Sequence, residues 1–422
     1  MPRFLLSTMP ALGSAALGHV LAGALVERGH EVVWHTGKEH ESLAAEAGAR
    51  FSPFDRTLSY AGLPPAPDPG ERGFAAVSTM MRRLLVDRAP GQVADYETIL
   101  SWFDADVLIT DGHCLGARLT HERGGPRWAV LNETALIGIS PEDPPHGLGG
   151  LPPATLAGRL RNRARTFATR RIALRSLQAA YRDCRAGMGL PPGRSTVFDA
   201  LVSPYLHMQP TCPVFEYSRR RLPPQLHFTG PLQPGVPSDF MPPPWWDELR
   251  HSRPVVHVTQ GTNGSDPEEL VWPAVRALAE RAGLVVVTMP GLEPDVRLPE
   301  NVRVAPYLPY QAVLPHADVM VTSGGYSGAQ LALANGVPMV VAGSRGDHPE
   351  VGARIAWAGA GIWLDGSRPA PDRLAAAVDE VLSDPRYREN AVRLQAHFQA
   401  ADGPATAAAL LERLARGGAP VR

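Results

Sequence analysis

The chain has 422 residues, a hydrophobic fraction of 44% and a formal net charge of -1 at pH 7. This length predicts two or three domains, and the hydrophobic fraction is sufficient for well-packed cores. The balanced charge, without long contiguous basic or acidic runs, argues against nucleic acid as a partner and favours a small molecule.

The N-terminal segment, residues 3–37, predicts a strand, a helix and a second strand. An apolar stretch follows Arg3, but Pro10, Gly13 and Gly18 interrupt it, and EVVWHTG comes directly after a helix end. A secretion signal lacks such interruptions, and no run reaches the roughly 18 apolar residues of a membrane-spanning helix. We therefore expect a cytoplasmic protein without stable membrane insertion. The three scattered cysteines agree, because they show no disulfide or metal-ligand spacing.

Short β-type segments alternate with helical segments along the chain. FLLST, EVVWHT, DVLIT and RWAVL occur in the first half, and VVHVTQ, LVVVTM, VRVAPY, VMVTS and PMVVAG in the second. This alternation predicts two parallel sheets covered by helices. Between them, residues 217–252 are so rich in proline that we predict an interdomain linker without regular structure.

Two segments of the first half do not belong to this alternation. Residues 59–73, SYAGLPPAPDPGERG, predict a proline-rich loop, and residues 156–184 predict a basic helical segment. The helical segment has three interpretations: it covers the mouth of a binding site, it touches a membrane surface, or it is a solvated arm.

Residues 321–362 predict a phosphate site, because a strand is followed by a glycine turn and then by a helix at residues 329–334. The glycines of the turn are Gly324, Gly325 and Gly328. The free amide groups and the dipole at the start of such a helix favour a pyrophosphate. After the next strand, Asp347 and His348 stand where strand ends of a parallel sheet face a ligand cleft.

Two further strand ends are expected at the same cleft. The first strand of the second half ends in Gly261 and Thr262, which provide a backbone turn and a hydroxyl group. Tyr307, Leu308 and Tyr310 follow the strand VRVA. A tyrosine ring at this place either stacks on a planar ligand group or belongs to the core.

These segments resemble the signature of the family 1 glycosyltransferases with the GT-B fold, especially the bacterial branch that modifies macrolides, flavonoids and other natural products. The resemblance extends over nearly the whole chain. Its clearest matches are Ser323, Gly324, Gly325, Tyr326, Gly336, Val337, Pro338, Asp347 and His348. It implies an α/β protein of two Rossmann-like parallel-sheet domains that face each other across a cleft, with the ligands between them.

The resemblance also implies a division of the chain and a reaction. An N-terminal acceptor-binding domain spans residues 1–216, and the linker spans residues 217–252. A nucleotide-sugar-binding domain follows at residues 253–383, and residues 384–422 form helices that cross back to the N-terminal domain. The implied reaction is an inverting, metal-independent transfer of a sugar, in particular a deoxysugar, from a nucleoside diphosphate to a small natural-product acceptor. The nucleotide sugar is a co-substrate, no cofactor is implied, and a homodimer is left open.

The resemblance implies a set of donor-binding residues. Gly261 and Thr262 contact the phosphates, and Tyr307 and Leu308 lie beside the nucleobase. The remaining positions are Ser323, Gly324, Gly325, Tyr326, Ser327, Gly328, Leu331, Asp347 and His348.

Two of these positions depart from the family pattern. Leu331 stands where most members carry a glutamate that bonds the ribose hydroxyls, so we expect a dTDP-sugar to be preferred over a UDP-sugar. An apolar pocket rejects an added hydroxyl by only about a hundredfold. Ser323 replaces a phosphate-binding histidine. Because a serine hydroxyl donates only one hydrogen bond, more of the phosphate binding falls to the helix amides.

A third departure concerns the general base. Alignment back from GHEVVWHTG places Ser14 on the family's catalytic histidine, and a serine hydroxyl is a poor base. Asp111 and His113 are the best replacements, because Asp111 ends a strand where the family has the aspartate that supports its histidine. Two alternatives stay open: an acceptor that ionises easily, or loss of transfer activity. The alternative functions are a non-catalytic nucleotide-sugar-binding protein and a nucleotide-sugar epimerase.

Overall fold

The computed structural model describes residues 1–59, 73–136, 143–144, 149–193, 195–219, 222–261, 264, 266–281, 283–292 and 298–422. Within these ranges the chain forms two parallel sheets with helices packed around them, which confirms the predicted α/β class. Most of the predicted proline-rich loop at residues 59–73 lies outside the described residues.

Seven parallel strands form the first sheet, in the order β3-β2-β1-β4-β5-β6-β7. The strands are β1 Arg3–Ser7, β2 Glu31–Thr36, β3 Arg50–Pro53, β4 Val107–Asp111, β5 Arg127–Leu131, β6 Leu206–Gln209 and β7 Leu226–Phe228. The helices of this half are α1 Leu12–Glu27, α2 Glu41–Glu46, α3 Gly73–Met81, α4 Ala89–Leu100, α5 Gly116–Glu122, α6 Leu156–Ala168, α7 Arg175–Gly187 and α8 Val197–Ala200. Two π-helical turns adjoin them, at Arg82–Val86 and Thr169–Ala173.

Six parallel strands form the second sheet, in the order β10-β9-β8-β11-β12-β13. The strands are β8 Val255–Thr259, β9 Leu284–Thr288, β10 Val302–Ala305, β11 Val319–Thr322, β12 Met339–Val341 and β13 Gly361–Trp363. The helices are α9 Glu248–His251, α10 Val271–Leu278, α11 Tyr310–Val313, α12 Tyr326–Ala334, α13 His348–Trp357, α14 Pro371–Ser383, α15 Pro385–Gln399 and α16 Gly403–Gly417.

The central strands are buried on both faces because helices cover both sides of each sheet. Every residue of β4 and of β8 is buried, and the polar residues lie mainly toward the carboxyl ends, as with Asp111 and Thr259. Such runs are typical of parallel strands. The hydrophobic cores lie between these strands and the flanking helices.

In each sheet the strand that comes first in the chain lies inside the sheet, and the later strands are added on both sides of it. β1 lies between β2 and β4, and β8 lies between β9 and β11. Helices that follow neighbouring strands then diverge to opposite faces, and a crevice opens at the carboxyl ends. The register brings the end of β1 at Ser7 beside Thr110, and the end of β8 at Thr259 beside Thr322.

The structure corrects the prediction that residues 217–252 have no regular structure. β7 lies in this range and extends the first sheet, with Leu226 opposite His207, and α9 precedes β8. The prolines do not prevent this strand, because Pro223 and Pro224 come before it. β7 is also an edge strand, and an edge strand needs donors on one side only.

The last two helices pack on different domains. α15 contacts α12 of the second domain, whereas α16 contacts α1 of the first. Leu411 and Leu414 of α16 join the core that contains Leu21. Glu412 also forms an ion pair with Arg28 at 2.7 Å. Among the described helices, none combines the length and apolar character needed to cross a membrane.

Candidate active site between the two sheets

The start of α12 is an open, positively polarised helix end. Gly325 is its N-cap, with φ of -63°, and among the described residues no side chain caps the helix. A Cβ atom built on Gly325 would have no described neighbour within 4 Å, so the space in front of the helix amides is open in the described part of the chain. The preceding Gly324 has φ of 101°, and a Cβ there would lie 2.9 Å from a Val341 methyl group. Glycine is therefore required at Gly324 by the backbone and by packing.

The start of α1 faces the start of α12. A Cβ atom built on Gly13, in the first turn of α1, would lie 3.8 Å from the Ser327 hydroxyl oxygen in the first turn of α12. Within the described ranges, no side chain caps α1 either. Two helix N-termini, one from each domain, thus meet in the cleft, and their free amide groups and dipoles favour an anion between them.

Ser323 and Gly261 form the turns beside this helix end. The Ser323 hydroxyl donates to the Gln260 carbonyl oxygen at 3.0 Å, and the Gly261 amide donates to the Thr259 hydroxyl at 3.1 Å. Gly261 has φ of 71°, in the left-handed region. Thr262, predicted to contact the phosphates, lies outside the described residues.

Two predicted donor residues have structural roles that the sequence did not indicate. Tyr326 is buried, and its hydroxyl accepts from the Gln209 amide at 2.9 Å and donates to Glu216 at 3.3 Å. Its ring therefore joins the two domains, and only its backbone faces the helix end. A Cβ on Gly328 would lie 2.9 Å from the Tyr310 ring, so this glycine admits close packing of Tyr310 on α12.

The residues predicted beside the nucleobase differ in exposure. The Tyr307 side chain is 58% exposed, so its ring is accessible for stacking, whereas Leu308 is 2% exposed and belongs to the core. Leu331 is half-buried on α12 and packs against the same core. An apolar side chain thus occupies the position at which the resemblance implies a ribose-binding carboxylate.

Asp111 fastens two turns of the first domain at the edge of the cleft. Its carboxylate accepts from the Met9 amide at 2.5 Å, the His113 amide at 3.0 Å and the Cys114 thiol at 3.2 Å. Burial, followed by repulsion from Glu133, raises the pKa of Asp111 to about 6. Through these bonds Asp111 orders the turns before α1 and after β4, and its catalytic role stays a prediction.

His113 forms an ion pair with Glu133, a residue that the sequence pattern did not indicate. The Nδ1 atom of His113 contacts a Glu133 carboxylate oxygen, and the other carboxylate oxygen accepts from the Gly112 amide at 2.8 Å. The His113 side chain is 32% exposed and Glu133 8%. Glu133 follows β5, next to β4 in the sheet, and this adjacency of strand ends is the signal that would have found it.

The electrostatics of this pair follow from its burial and its charges. Burial would lower the pKa of His113, but attraction to Glu133 and the hydrogen bond with it raise it to about 9. Burial would raise the pKa of Glu133, and His113 lowers it below its ordinary value. The pair is thus ionised at neutral pH.

Ser14, which the alignment places at the position of the catalytic histidine, is a buried residue of α1 with 4% of its surface exposed.

One oxygen or nitrogen from each of Asp111, His113 and Glu133 lies within 4.8 Å of the others, a separation that metal ligands also show. Each group has a protein partner: His113 and Glu133 pair with each other, and Asp111 accepts backbone amides. The expected metal independence therefore stays a prediction.

The loop after β5 connects this pair to the second domain. The Ala135 amide donates to the Asp347 carboxylate at 3.4 Å, and the Leu136 amide donates to Glu216 at 3.0 Å. Asp347 and His348 start α13, and burial lowers the pKa of His348. Asp347, which was predicted to bind the donor, therefore contacts the loop that carries Glu133.

A buried ion pair fixes the two domains beside this loop. Arg354 of α13 donates to Glu216 at 2.9 Å and to the Leu136 carbonyl oxygen at 2.8 Å. Its guanidinium also lies 4.5 Å from the centre of the Tyr217 ring. Both charged side chains are almost completely buried. The Glu133 loop is thus held from both domains.

Comparison with known sequences gives full-length relatives. The family described as erythromycin biosynthesis protein CIII-like, C-terminal domain, matches residues 274–414. The 4'-demethylrebeccamycin synthase of Lentzea aerocolonigenes is 40% identical over 98% of this chain and 99% of its own length. UDP-glycosyltransferase 2 of Phaeomoniella chlamydospora is 29% identical over 98% of this chain and 96% of its own.

Comparison with solved structures supports the fold. CalG4, the calicheamicin glycosyltransferase, superposes with a TM-score of 0.75 and 20% identity, over 99% of both chains. The spinosyn rhamnosyltransferase SpnG in complex with thymidine diphosphate gives a TM-score of 0.67 at 20% identity, over 98% of this chain and 99% of that one. At this identity the similarity establishes the twin-sheet GT-B architecture alone.

Proposed function

Because this chain belongs to the natural-product glycosyltransferases with the GT-B fold, we propose that it transfers a deoxysugar from a dTDP donor to a small natural-product acceptor, with inversion at the anomeric carbon. The observation that carries the proposal is the meeting of two uncapped helix ends, α1 and α12, in the cleft. The names of the sequence relatives, which are glycosyltransferases and a synthase, favour a transferase over the epimerase and the non-catalytic alternatives.

The diphosphate of the donor lies, in this proposal, in front of Gly325. The amide groups of α12 bind its oxygens and stabilise the negative charge that develops on the leaving nucleoside diphosphate. Gly325 leaves this approach open, and α1 adds a second helix dipole from the other side. Charge stabilisation then needs no cationic side chain at Ser323.

The preference for dTDP over UDP rests on Leu331. Its half-buried apolar side chain offers no hydrogen bond to a 2'-hydroxyl group, so a ribose gains nothing over a deoxyribose. Solved relatives include complexes with thymidine diphosphate, whereas several sequence relatives are named UDP-glycosyltransferases or UDP-glucosyltransferases. The exposed ring of Tyr307 is the group that would stack on the base.

On the acceptor side, His113 serves as the general base in the place of the missing helix histidine. Glu133 binds Nδ1, so a neutral His113 carries its proton on Nδ1 and its lone pair on Nε2. The acceptor nucleophile attacks the anomeric carbon, its proton passes to Nε2, and the bond from that carbon to the phosphate oxygen breaks. Glu133 stabilises the imidazolium that forms.

Calorimetric titration with dTDP and UDP tests the donor site. We expect dTDP to bind at least as tightly as UDP, and Gly325→Val to abolish binding, because its side chain extends into the space for the phosphates. The φ of -63° and the open space make this substitution compatible with the fold.

A matched control is Gly417→Val, at the end of α16, where a Cβ also meets nothing within 4 Å. This control should bind dTDP like the wild type. Failure of the wild type to bind either nucleotide, or undiminished binding by Gly325→Val, would contradict the proposed donor site.

A further inference from the structure

Positive charge is concentrated on the helical segment of residues 156–187, which we call the arginine arm. It consists of α6, the π-helical turn and α7. The arm contains nine arginines and a single acidic residue, Asp183, in a chain whose overall formal charge is only -1. The positive charge of the molecule is therefore strongly localised, which favours an anionic partner at this face.

Six of these arginines are exposed, namely Arg161, Arg163, Arg165, Arg171, Arg175 and Arg182. None of the six forms an ion pair within the described part of the chain. Two other arginines of the arm do form ion pairs: Arg185 pairs with Glu122 at 2.6 Å, and Arg170 pairs with Asp199 at 3.5 Å. The exposed arginines are not needed to neutralise acidic groups of the fold.

An apolar stripe runs along the outer side of α6. Leu156, Leu160 and Phe167 are 64%, 56% and 63% exposed. At 3.6 residues per turn they lie within about 40° of one another, while the buried Gly158 and Asn162 lie roughly 140–180° away. The helix therefore presents its large apolar residues to the solvent and packs inward through a small and a polar residue, the reverse of an ordinary surface helix.

Arginines flank this stripe. Arg163 lies between Leu160 and Phe167 in the helix surface, and Arg159 lies one turn before it. Past the end of α6, Ile172 is another apolar residue, 62% exposed, between Arg171 and Arg175. Apolar side chains flanked by basic ones are the composition of helices that lie in the interface of a bilayer.

A cavity at the base of the arm adds a site of matching chemistry. It has a volume of about 310 Å³, and Arg171, Arg175 and Arg182 line it. Gln178 and Ser195 also line it, and the Gln178 amide nitrogen and the Ser195 hydroxyl are buried without a hydrogen-bond partner within the described structure. Three guanidinium groups and two further donors around one cavity suit a phosphate group.

From these observations we propose that the arginine arm is a peripheral membrane-binding surface for an anionic phospholipid bilayer, in which Leu156, Leu160 and Phe167 enter the interface and the arginine-lined cavity receives a phosphate headgroup. The proposal requires no spanning helix, and it is independent of the sugar donor and of the acceptor. The apolar stripe and the positive charge lie on one arm, so a neutral apolar partner would leave the arginines uncompensated.

Co-sedimentation with vesicles tests the proposal. We expect the full chain to bind vesicles of phosphatidylcholine with phosphatidylglycerol, but not vesicles of phosphatidylcholine alone. About 1 M NaCl, where the Debye length is roughly 3 Å, should release most of the protein. Equal binding to both vesicles, or no binding to either, would overturn the proposal.

Two double variants separate the contribution of the apolar stripe to vesicle binding from that of the arginines. The double variant Leu160→Ser, Phe167→Ser should lower the partition coefficient by roughly tenfold or more, because two buried apolar groups are lost. Arg171→Gln with Arg175→Gln should lower it by roughly fivefold per arginine and weaken the preference for the anionic lipid, of which the other four exposed arginines keep a part. Met241→Ser, at an apolar residue 83% exposed outside the arm, is the control and should bind vesicles like the wild type.

The competing occupants give different results. If light scattering shows a dimer that the Leu160→Ser, Phe167→Ser variant abolishes, the stripe is an interface between copies and the proposal is wrong. If inorganic phosphate at a concentration matched to the lipid displaces the protein from vesicles completely, the cavity is a site for small anions and the membrane assignment is wrong. Unchanged dTDP binding by every variant shows that the fold is intact.

Discussion

At the scale of single residues, the proposed chemistry of the acceptor side depends on His113 and Glu133. The imidazole is anchored through Nδ1 and a third of the side chain is exposed, so Nε2 is the nitrogen available to a nucleophile. Burial and Arg88 lower the pKa of His113, whereas Glu133 and Asp111 raise it. The result, about 9, means that His113 is protonated at neutral pH and becomes a base as the pH rises.

This ionisation predicts the pH dependence of the reaction. The rate should rise with pH up to about 9, because only the neutral imidazole accepts the proton. Glu133→Gln removes the charge that raises the pKa, so the inflection in kcat/KM against pH should move down by about one to three units. A residue with a merely structural role would lower the rate without moving the inflection.

His113→Ala is the companion variant. It should lower kcat by about 10²–10⁴ and leave the affinity for dTDP unchanged, since His113 belongs to the acceptor side. An unchanged rate would show that another group, or an acceptor that ionises by itself, removes the need for this base.

The same ion pair contributes to stability with a defined sign. The folded-state pKa of His113 lies above the ordinary value of 6.5, so the stabilisation is complete below that value. It is then lost as the pH rises through about 9. Activity and this part of the stability therefore change in opposite directions over the same pH range.

At the scale of elements, α12 performs two tasks with different sides. Its first turn is open to the cleft, while Tyr326 and Gly328 pack against Gln209 and Tyr310. This close packing would hold the helix amides in place for the proposed diphosphate. Leu331, one turn farther along, is the position at which the resemblance implies a residue beside the sugar ring of the nucleoside.

This placement predicts a change of donor preference. Leu331→Glu adds a carboxylate that can accept bonds from ribose hydroxyls, and a charged acceptor contributes about 1.5–3 kcal/mol. The affinity for UDP relative to dTDP should therefore rise by roughly tenfold or more, measured by calorimetry with both nucleotides. Leu331→Ala, which removes the same side chain without adding a polar group, should leave the ratio near that of the wild type.

At the scale of the whole molecule, the two domains are held together beside the proposed donor and acceptor sites. Glu216 and Arg354 form a buried ion pair across the interface, Tyr326 bonds to Gln209, and α16 returns to the first domain. The loop after β5 lies between these contacts and carries Glu133. The distance between α12, the proposed donor helix, and the loop that carries Glu133 is thus set by domain packing.

Removal of one partner of the buried pair should destabilise the protein. Arg354→Met leaves the Glu216 carboxylate buried, with Arg219 at 3.3 Å as its remaining cationic neighbour among the described residues. We expect the free energy of unfolding to fall by about 3 kcal/mol, near the lower end for such pairs, in a denaturant titration. The double variant Glu216→Gln, Arg354→Met should recover part of this loss; a double variant less stable than the single one would contradict this role of the pair.

The sequence by itself determined the features that depend on local pattern. Alternating strands and helices specified two parallel sheets, and the glycine turn before α12 specified a helix end open to a phosphate, because backbone conformation and periodicity are local properties. The prediction that residues 217–252 have no regular structure was wrong, because β7 forms by pairing with the free edge of β6, which lies outside that range.

Only the tertiary structure decided which side chains become partners. Glu133 reaches His113 because β5 lies beside β4, and the Tyr326 ring packs between the domains because the first domain supplies Gln209 and Glu216. The apolar stripe of α6 faces outward because this helix packs inward through Gly158 and Asn162. Such pairs depend on strand order and domain packing. A one-dimensional pattern constrains which residues are buried, but it does not specify the neighbours that bury them.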